Sequence, residues 1–401
     1  MVVFGQIGRG KSSFVKSYLW RQAVFGRHAW VVDPKGEYGP LAQAWGVTPV
    51  TLRPGGAIRL NPLDTEADSG ADSGSEAGAG PSASEGSPGD AVRRSRQALT
   101  SSLAIACLGR DLFPRERAAV DAAVDEATAR ARVARMEAPT LPLVVDALLE
   151  PGIDAALAIR SSRAALMEDG RDVALELRRL VHGDLCGMFD GPTTPGLRLD
   201  GPLVVLDLSA VYHSAALGVL MACAAAWLQN AVRARHRNRI IVVVDEAWAI
   251  LSNLGVARWL QTSWKMSRAL GVSNIAVLHR LSDLRSVGAE GSEQVNLAEG
   301  LLADSETRVV YAQSPGEVAR TGELLGLTET EADLVTQLRR GMALWKVGRR
   351  SFLVEHRLAS GEQWLTDTDQ AMSDGPVEDR PEDAETGDAG APTWRPDAPP
   401  W

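Results

Sequence analysis

The sequence predicts an α/β fold in which crossover helices connect the strands of a mostly parallel β-sheet. Residues 1–63 show a strand, a glycine-rich loop, a helix and further strands, and this βαβ order is typical of parallel sheets. The alternation resumes at residue 201, where apolar strands again lie between helices. Residues 91–182 carry helical periodicity and no convincing strand, so we expect a mostly helical insertion between the two halves of the sheet.

Two acidic segments are predicted to be disordered and to stay outside this core. Residues 64–90 hold seven acidic residues and no basic or aromatic ones, and residues 366–401 hold ten acidic and two basic residues. Such stretches bury too little apolar surface to offset the entropy of ordering them. They contribute −7 and −8 to the net charge of −9, so the rest of the chain carries +6. The negative net charge of the whole chain therefore does not exclude a polyanionic partner.

These composition shifts divide the chain into five parts. We predict the first part of the core, an acidic linker, the helical insertion, the second part of the core and an acidic tail, at residues 1–63, 64–90, 91–182, 183–365 and 366–401.

Cysteine usage and apolar runs indicate a cytoplasmic protein. Cys107, Cys186 and Cys223 are far apart and form no C-x-x-C pair, which fits a reducing compartment. The first residues lack the basic region of a signal peptide. The longest apolar run, residues 215–228, is shorter than the ~20 residues that a membrane span needs, so we predict a buried helix there.

A glycine-rich loop directly follows the first strand. Its sequence, GQIGRGKS over residues 5–12, is a complete GxxxxGK[ST] phosphate loop with a strand before it and a helix after it. In such a loop, backbone N–H groups surround phosphate oxygens, Lys11 reaches the β- and γ-phosphates and the Ser12 hydroxyl ligates Mg²⁺. The motif predicts a site for ATP and Mg²⁺ that comprises Gly5, Gly8, Arg9, Gly10, Lys11, Ser12 and Ser13.

A second motif supplies carboxylates. The segment RIIVVVDEAW is a continuous apolar run that ends in Asp245 and Glu246, as expected for a strand buried on both faces. Asp245 would join the Mg²⁺ shell and Glu246 would polarise the attacking water. The alternative is a core strand that ends in two acids before a helix. The N/T-K-x-D motif of GTPases is absent from the sequence, so we predict ATP as the nucleotide.

The order of the motifs resembles that of one family. The segments GQIGRGKS, VVDPKGEY, LNPLD, GDLCGMFDGPT, VVVDEAW and LGLTETEADLVTQLRRGMALWKVGRRSFLVEH follow one another as in conjugative type IV secretion ATPases of the VirB/TraC type, within the HerA–FtsK superfamily of P-loop motors. The resemblance covers residues 1–63 and 180–357. It implies a RecA-like core with an all-α insertion and a homo-hexamer. It also implies ATP-driven export of DNA or protein by a complex at the inner face of the cytoplasmic membrane.

The same resemblance implies roles for two further residues. Arg268, and less certainly Lys265, lies in a basic helix that would reach the γ-phosphate of a neighbouring subunit; a helix-terminal cation is the alternative. His279 follows the next strand at a position where the family has a Thr-Gln pair. We consider His279 a candidate γ-phosphate donor, with a structural histidine as the alternative. The predicted catalytic residues are thus Lys11, Glu246, Arg268 and His279.

The DPKGEY segment adds polar groups at the end of the second strand. Asp33 and Lys35 lie beside the predicted active-site edge, and Lys35 or Glu37 is a candidate contact to nucleotide or to a neighbouring subunit.

Some expectations concern the whole assembly. Family members carry a substantial domain before the phosphate loop, so we expect a second polypeptide or a longer reading frame to supply one. Two other functions stay open: a DNA translocase or coupling protein of the same superfamily, and an ATP-responsive interaction module with little hydrolysis.

Overall fold

The computed structural model describes most of the chain outside the two acidic segments. The described residues are 1–64, 88–183, 185–197, 201–214, 216–233, 239–251, 271–279 and 304–366, with single positions between 257 and 302. The predicted acidic linker and tail lie almost entirely outside the described residues, and Arg268 lies outside them.

The described residues form a nine-stranded sheet. Its strands are β1 Val2–Phe4, β2 His28–Asp33, β3 Val50–Thr51, β4 Leu203–Asp207, β5 Ile240–Val244, β6 Val272–Leu278, β7 Thr307–Tyr311, β8 Met342–Val347 and β9 Arg350–Glu355. Their spatial order is β3-β4-β2-β5-β6-β1-β7-β8-β9, parallel from β3 to β7 and antiparallel from β7 to β9. The predicted α/β class with a mostly parallel sheet is confirmed.

Helices cover both faces of this sheet. Those of the core are α1 Lys11–Gln22, α2 Gly39–Ala44, α8 Leu217–Arg233, α9 Trp248–Leu251, α10 Pro315–Leu325, α11 Glu329–Gln337 and α12 Gln363–Thr366. Those between β3 and β4 are α3 Pro88–Leu108, α4 Pro114–Val133, α5 Leu141–Leu149, α6 Ile153–Ala158 and α7 Arg163–His182. The described part of residues 91–182 is thus helical and contains no strand, as its periodicity indicates.

Successive strand residues contribute their side chains alternately to two hydrophobic cores, one on each face of the sheet. Val3 packs with α1 on one face of the sheet, while Val2 and Phe4 face the other side, where α8 and the helical insertion lie. Every residue of β5 is buried, which accounts for its continuous apolar sequence. Helix α8 begins within the apolar run 215–228, and its residues 219–227 are buried. Among the described residues, no helix combines the length and apolar character needed to cross a bilayer.

Two of the family-like motifs meet where the helical insertion joins the core. The Leu60 N–H donates to the Met188 carbonyl at 2.8 Å, and the Asn61 N–H donates to the Thr193 hydroxyl at 3.0 Å. The buried Asn61 side chain also donates to the Pro139 carbonyl at 3.0 Å, in the insertion. The NPLD and MFDGPT segments are therefore hydrogen-bonded to each other. This pairing satisfies polar groups that are buried where the insertion joins the core.

The Thr328-x-x-Glu331 pattern predicts a capped helix and the segment MALWKVGRRSFLVEH predicts a hairpin that turns at Gly348, and the C-terminal region forms both. The Thr328 hydroxyl accepts from the Glu331 N–H at 3.3 Å, and the Glu331 carboxylate accepts from the Thr328 N–H at 2.8 Å, closing a capping box at the start of α11. Lys346 on β8 donates to the same carboxylate at 2.7 Å. Strands β8 and β9 turn at Gly348, whose φ is +58°.

After β9, the chain returns to the helix that follows the phosphate loop. The Arg21 guanidinium on α1 donates to both carboxylate oxygens of Glu362, at 2.8 and 2.6 Å. The Ser17 hydroxyl lies 2.6 Å from His356 Nε2. Helix α1 is therefore held by the C-terminal segment as well as by the sheet.

The phosphate loop leaves β1 through a close contact with β7. Phe4 pairs with Val310, so Gly5 lies opposite Tyr311. A Cβ on Gly5, whose φ is +154°, would overlap the Tyr311 Cβ. Gly8, at φ +75°, has open space where its Cβ would lie. Gly5 is thus required both for its backbone conformation and for its packing against Tyr311, whereas Gly8 is required for its backbone conformation alone.

We expect Gly5→Ala to lower the free energy of unfolding by about 2–4 kcal/mol, because it combines left-handed strain with overpacking against Tyr311. Gly8→Ala is the matched control and should cost about 1 kcal/mol, since only the strain applies. Urea denaturation of the nucleotide-free chain measures both values. Equal losses for the two variants would contradict the packing role of Gly5.

Candidate active site

The predicted nucleotide motifs lie at one edge of the sheet. Strands β1, β2, β5 and β6 are parallel, and their carboxyl ends lead into the phosphate loop, the DPKGEY segment, the Asp245–Glu246 pair and His279. Strand β6 lies between β1 and β5, so His279 enters between the two motifs. Ligands of open α/β sheets bind at this edge.

The phosphate loop has the backbone shape of an anion cradle. Gly8 and Gly10 have φ values of +75° and +102°, and Gly10 is the N-cap of α1. Ser12 and Ser13 are half-buried in the first turn of that helix. Because successive N–H groups and a helix N-terminus converge there, the loop is shaped for phosphate.

Lys11 is buried inside this cradle. Its ammonium donates to the carbonyls of Gly5 and Gln6, the second at 2.9 Å. Burial lowers the pKa of Lys11 to about 8, while the charges of Asp245 and Glu246 act in the opposite direction. The phosphate-loop lysine and both acids therefore lie at the same edge of the sheet, near enough for their charges to interact.

Asp245 is a buried carboxylate at the end of β5. The Tyr38 hydroxyl donates to Oδ2 at 3.2 Å, and the Glu246 N–H donates to Oδ1 at 2.9 Å. Burial raises the pKa of Asp245 to about 7, and the neighbouring Glu246 charge adds to this. A cation would offset the cost of this buried charge. Carboxylate and hydroxyl oxygens suit Mg²⁺, so Asp245 and Ser12 fit the predicted ion.

Glu246 lies in a strained and crowded position. Its φ is +49°, in the left-handed region that a residue with a side chain seldom adopts. One carboxylate oxygen accepts from Lys35 and His279, and the other accepts from the Trp248 indole N–H. Burial alone would raise the pKa of Glu246, but the hydrogen bonds and charges of His279 and Lys35 lower it to about 2.

Lys35 and His279 act as two donors that share one acceptor. Their Nζ and Nε2 atoms lie 3.1 Å apart. When His279 Nε2 carries the proton that it donates to Glu246, it cannot also accept a hydrogen bond from Lys35. The short separation therefore reflects two groups drawn to the same carboxylate oxygen.

Asp33 organises the segment that presents Lys35 and Tyr38. Its buried carboxylate accepts from the backbone N–H groups of Lys35, Gly36 and Tyr38, at 3.1, 2.9 and 2.9 Å. Burial raises the pKa of Asp33 to about 6, although these hydrogen bonds act in the opposite direction. One carboxylate thus fixes the loop that directs Lys35 to Glu246 and Tyr38 to Asp245.

Other predicted residues lie around or beyond this cluster. Arg9 is half-buried and donates to the Gln6 side chain at 3.3 Å, and the charge of Glu37 acts on Lys11. Lys265 is exposed, and Arg268 lies outside the described residues. The contacts of Tyr38 and Trp248 were not foreseen. Both are the last residues of the DPKGEY and DEAW motifs, and membership of those motifs is the sequence signal that marks them.

Solved structures share this architecture. VirB4 of Thermoanaerobacter pseudethanolicus is 20% identical over 90% of each chain, with a TM-score of 0.68. The plasmid coupling protein TrwB in complex with the non-hydrolysable ATP analogue ADPNP is 14% identical over 90% of this chain and 85% of that one, with a TM-score of 0.56. TrwB in complex with ADP and Mg²⁺ covers the same shares at 14% identity, with a TM-score of 0.54.

Neither a scan against protein-family models nor a search of curated proteins finds a match to the sequence. The structural likeness extends over about nine tenths of the chain and includes the nine-stranded sheet that carries both nucleotide motifs. The chain therefore has the RecA-like P-loop fold of VirB4 and of the TrwB coupling protein.

Proposed function

We propose that this chain is the ATP-binding and ATP-hydrolysing motor subunit of a machine for conjugative DNA transfer or type IV secretion. One observation carries the proposal. Lys11, Asp245 and Glu246 come together at the carboxyl edge of a sheet whose fold is shared with VirB4 and TrwB. These are the groups that phosphoryl transfer to water requires.

Each group has a distinct task. Lys11 exchanges the Gly5 and Gln6 carbonyls for phosphate oxygens of ATP, which the glycine cradle orients. Ser12 and Asp245 would hold Mg²⁺, which would supply positive charge to neutralise the phosphates. Glu246 accepts a proton from the attacking water. His279, beside Glu246, is placed to sense the γ-phosphate.

The same comparison supports a proposal for the assembly. We propose a homo-hexamer at the inner face of the cytoplasmic membrane, within a secretion or conjugation complex. Arg268, which precedes β6 in the sequence, would then complete the active site of a neighbouring subunit. The likeness to VirB4 and to a plasmid coupling protein supports this arrangement.

Replacing Glu246 by Gln tests the hydrolytic role. We expect the Glu246→Gln variant to bind ATP with the affinity of the parent chain and to lose turnover by about 10²–10⁴-fold, the usual range for a general base. Equilibrium binding and steady-state phosphate release measure the two quantities. Glu329→Gln, in the first turn of α11, is the control. Unchanged turnover in Glu246→Gln would remove Glu246 from this role.

The likeness to TrwB supports a second candidate, a coupling protein that pumps DNA directly. In that case duplex DNA should stimulate ATP turnover, and the stimulation should fall steeply as salt rises, because binding releases counterions from the phosphate backbone. Phosphate release with and without DNA, over a series of salt concentrations, measures this. Turnover that is indifferent to DNA at low salt would contradict the candidate.

The contacts of Glu246 support a third candidate, an ATP-responsive module with little hydrolysis. Its carboxylate is engaged by Lys35, His279 and Trp248 together. A base with a pKa of about 2 is a poor proton acceptor. ATP binding without appreciable turnover in the assembled protein would select this function.

We expect Lys35→Met to raise turnover severalfold, because removing the ammonium restores basicity to Glu246. Lys35→Arg retains the charge and is the matched control, with turnover close to that of the parent. Steady-state phosphate release at saturating ATP provides the measurement. A fall in the turnover of Lys35→Met would show that Lys35 assists hydrolysis instead of restraining Glu246.

A further inference from the structure

A tight turn at residues 339–342 lies directly against the phosphate loop. The Met342 N–H donates to the Arg339 carbonyl at 3.1 Å and closes the turn. Gly341, at the third position, has a φ of +82°, which a type II turn requires there. The Gly341 N–H donates to the carbonyl of Arg9, inside the phosphate loop, at 3.1 Å.

The turn is also held from its other side. The His356 N–H donates to the Gly341 carbonyl at 2.8 Å, and the His356 ring contacts Ser17 on α1. A Cβ on Gly10 would lie 3.5 Å from the Gly341 nitrogen, so the two backbones pack in direct contact. The turn is thus a fixed wall of the nucleotide site.

This wall carries two exposed arginines, Arg339 and Arg340. Within the described part of the chain, neither guanidinium forms an ion pair or a side-chain hydrogen bond. Arg340 and Arg339 precede Gly341, whose N–H bonds to the Arg9 carbonyl, by one and two residues. Consecutive Cα atoms are about 3.8 Å apart, so both arginine side chains begin close to the phosphate loop. A guanidinium presents a fork of donors that matches phosphate oxygens in two-point contacts.

A second arginine pair provides an internal comparison. Arg349 and Arg350 are also adjacent and exposed, but they lie beyond the opposite end of β8. Six strand residues at about 3.3 Å each separate the two pairs by roughly 20 Å. Position next to the phosphate loop therefore distinguishes Arg339 and Arg340 from an otherwise identical dipeptide.

We propose that Arg339 and Arg340 bind the polyphosphate chain of the nucleoside triphosphate that the phosphate loop holds. The inference rests on the proposed function of the loop and extends it to a substrate-binding element from the C-terminal part of the chain. The pair adds cations on the side of the cradle opposite the acids Asp245 and Glu246.

The test compares the double variants R339A/R340A and R349A/R350A in the full chain. With Mg²⁺ and ATP in isothermal titration, we expect R339A/R340A to lose affinity by about ten- to hundredfold, as for the loss of charge-assisted hydrogen bonds. R349A/R350A should match the parent. R339K/R340K should recover part of the loss, because it keeps the charge without the planar fork.

Inorganic triphosphate, used as a competitor of ATP, shows whether the contact is to phosphate. It should lose affinity for R339A/R340A by the same factor as ATP, since it has no base or sugar. An unchanged affinity for triphosphate would overturn the proposal, as would equal ATP affinities for the two alanine variants. Loss of duplex DNA binding with intact ATP affinity would also overturn it and identify a nucleic-acid contact. A parent chain that binds no ATP would refute the function of the loop as well.

Discussion

Buried charge at one edge of a parallel sheet is the constraint on which the rest of this structure depends. Lys11, Asp245 and Glu246 are each buried, and an isolated buried charge costs several kcal/mol. Parallel strands bring their carboxyl ends to the same edge, so the charged residues after β1, β5 and β2 come close enough for their charges to interact. Lys35 completes the set from the end of β2.

The surrounding segments are explained by the need to fix these charges in place. Asp33 uses three backbone hydrogen bonds to hold the loop of Lys35 and Tyr38, and the turn at Gly341 holds the phosphate loop from the other side. The contacts of three side chains with the Glu246 carboxylate stabilise the strained backbone of that residue. Charges and dipoles held in place in this way are the preorganised groups that can stabilise charge as it develops in a reaction.

Local sequence was sufficient to predict the parts of the site that follow from spacing. The phosphate loop, the buried β5 and the capping box at Thr328 each depend on neighbours within a few residues, and the sheet class follows from their order. The contacts of Tyr38 with Asp245 and of Gly341 with Arg9 join residues far apart in the chain. They depend on strand order, which no local pattern specifies. Arg268 stays a prediction, because it lies outside the described residues.

The arrangement also links nucleotide binding to the state of Glu246. Lys11 now satisfies its charge with loop carbonyls, and Lys35 satisfies its charge with Glu246. A triphosphate in the cradle would bring new negative charge beside both ammonium groups, and opposite charges in a low-dielectric site attract strongly. Any shift of Lys35 toward phosphate weakens its hold on Glu246 and raises the basicity of that carboxylate. The substrate would therefore help to release the base that activates the attacking water, which would couple hydrolysis to a filled site.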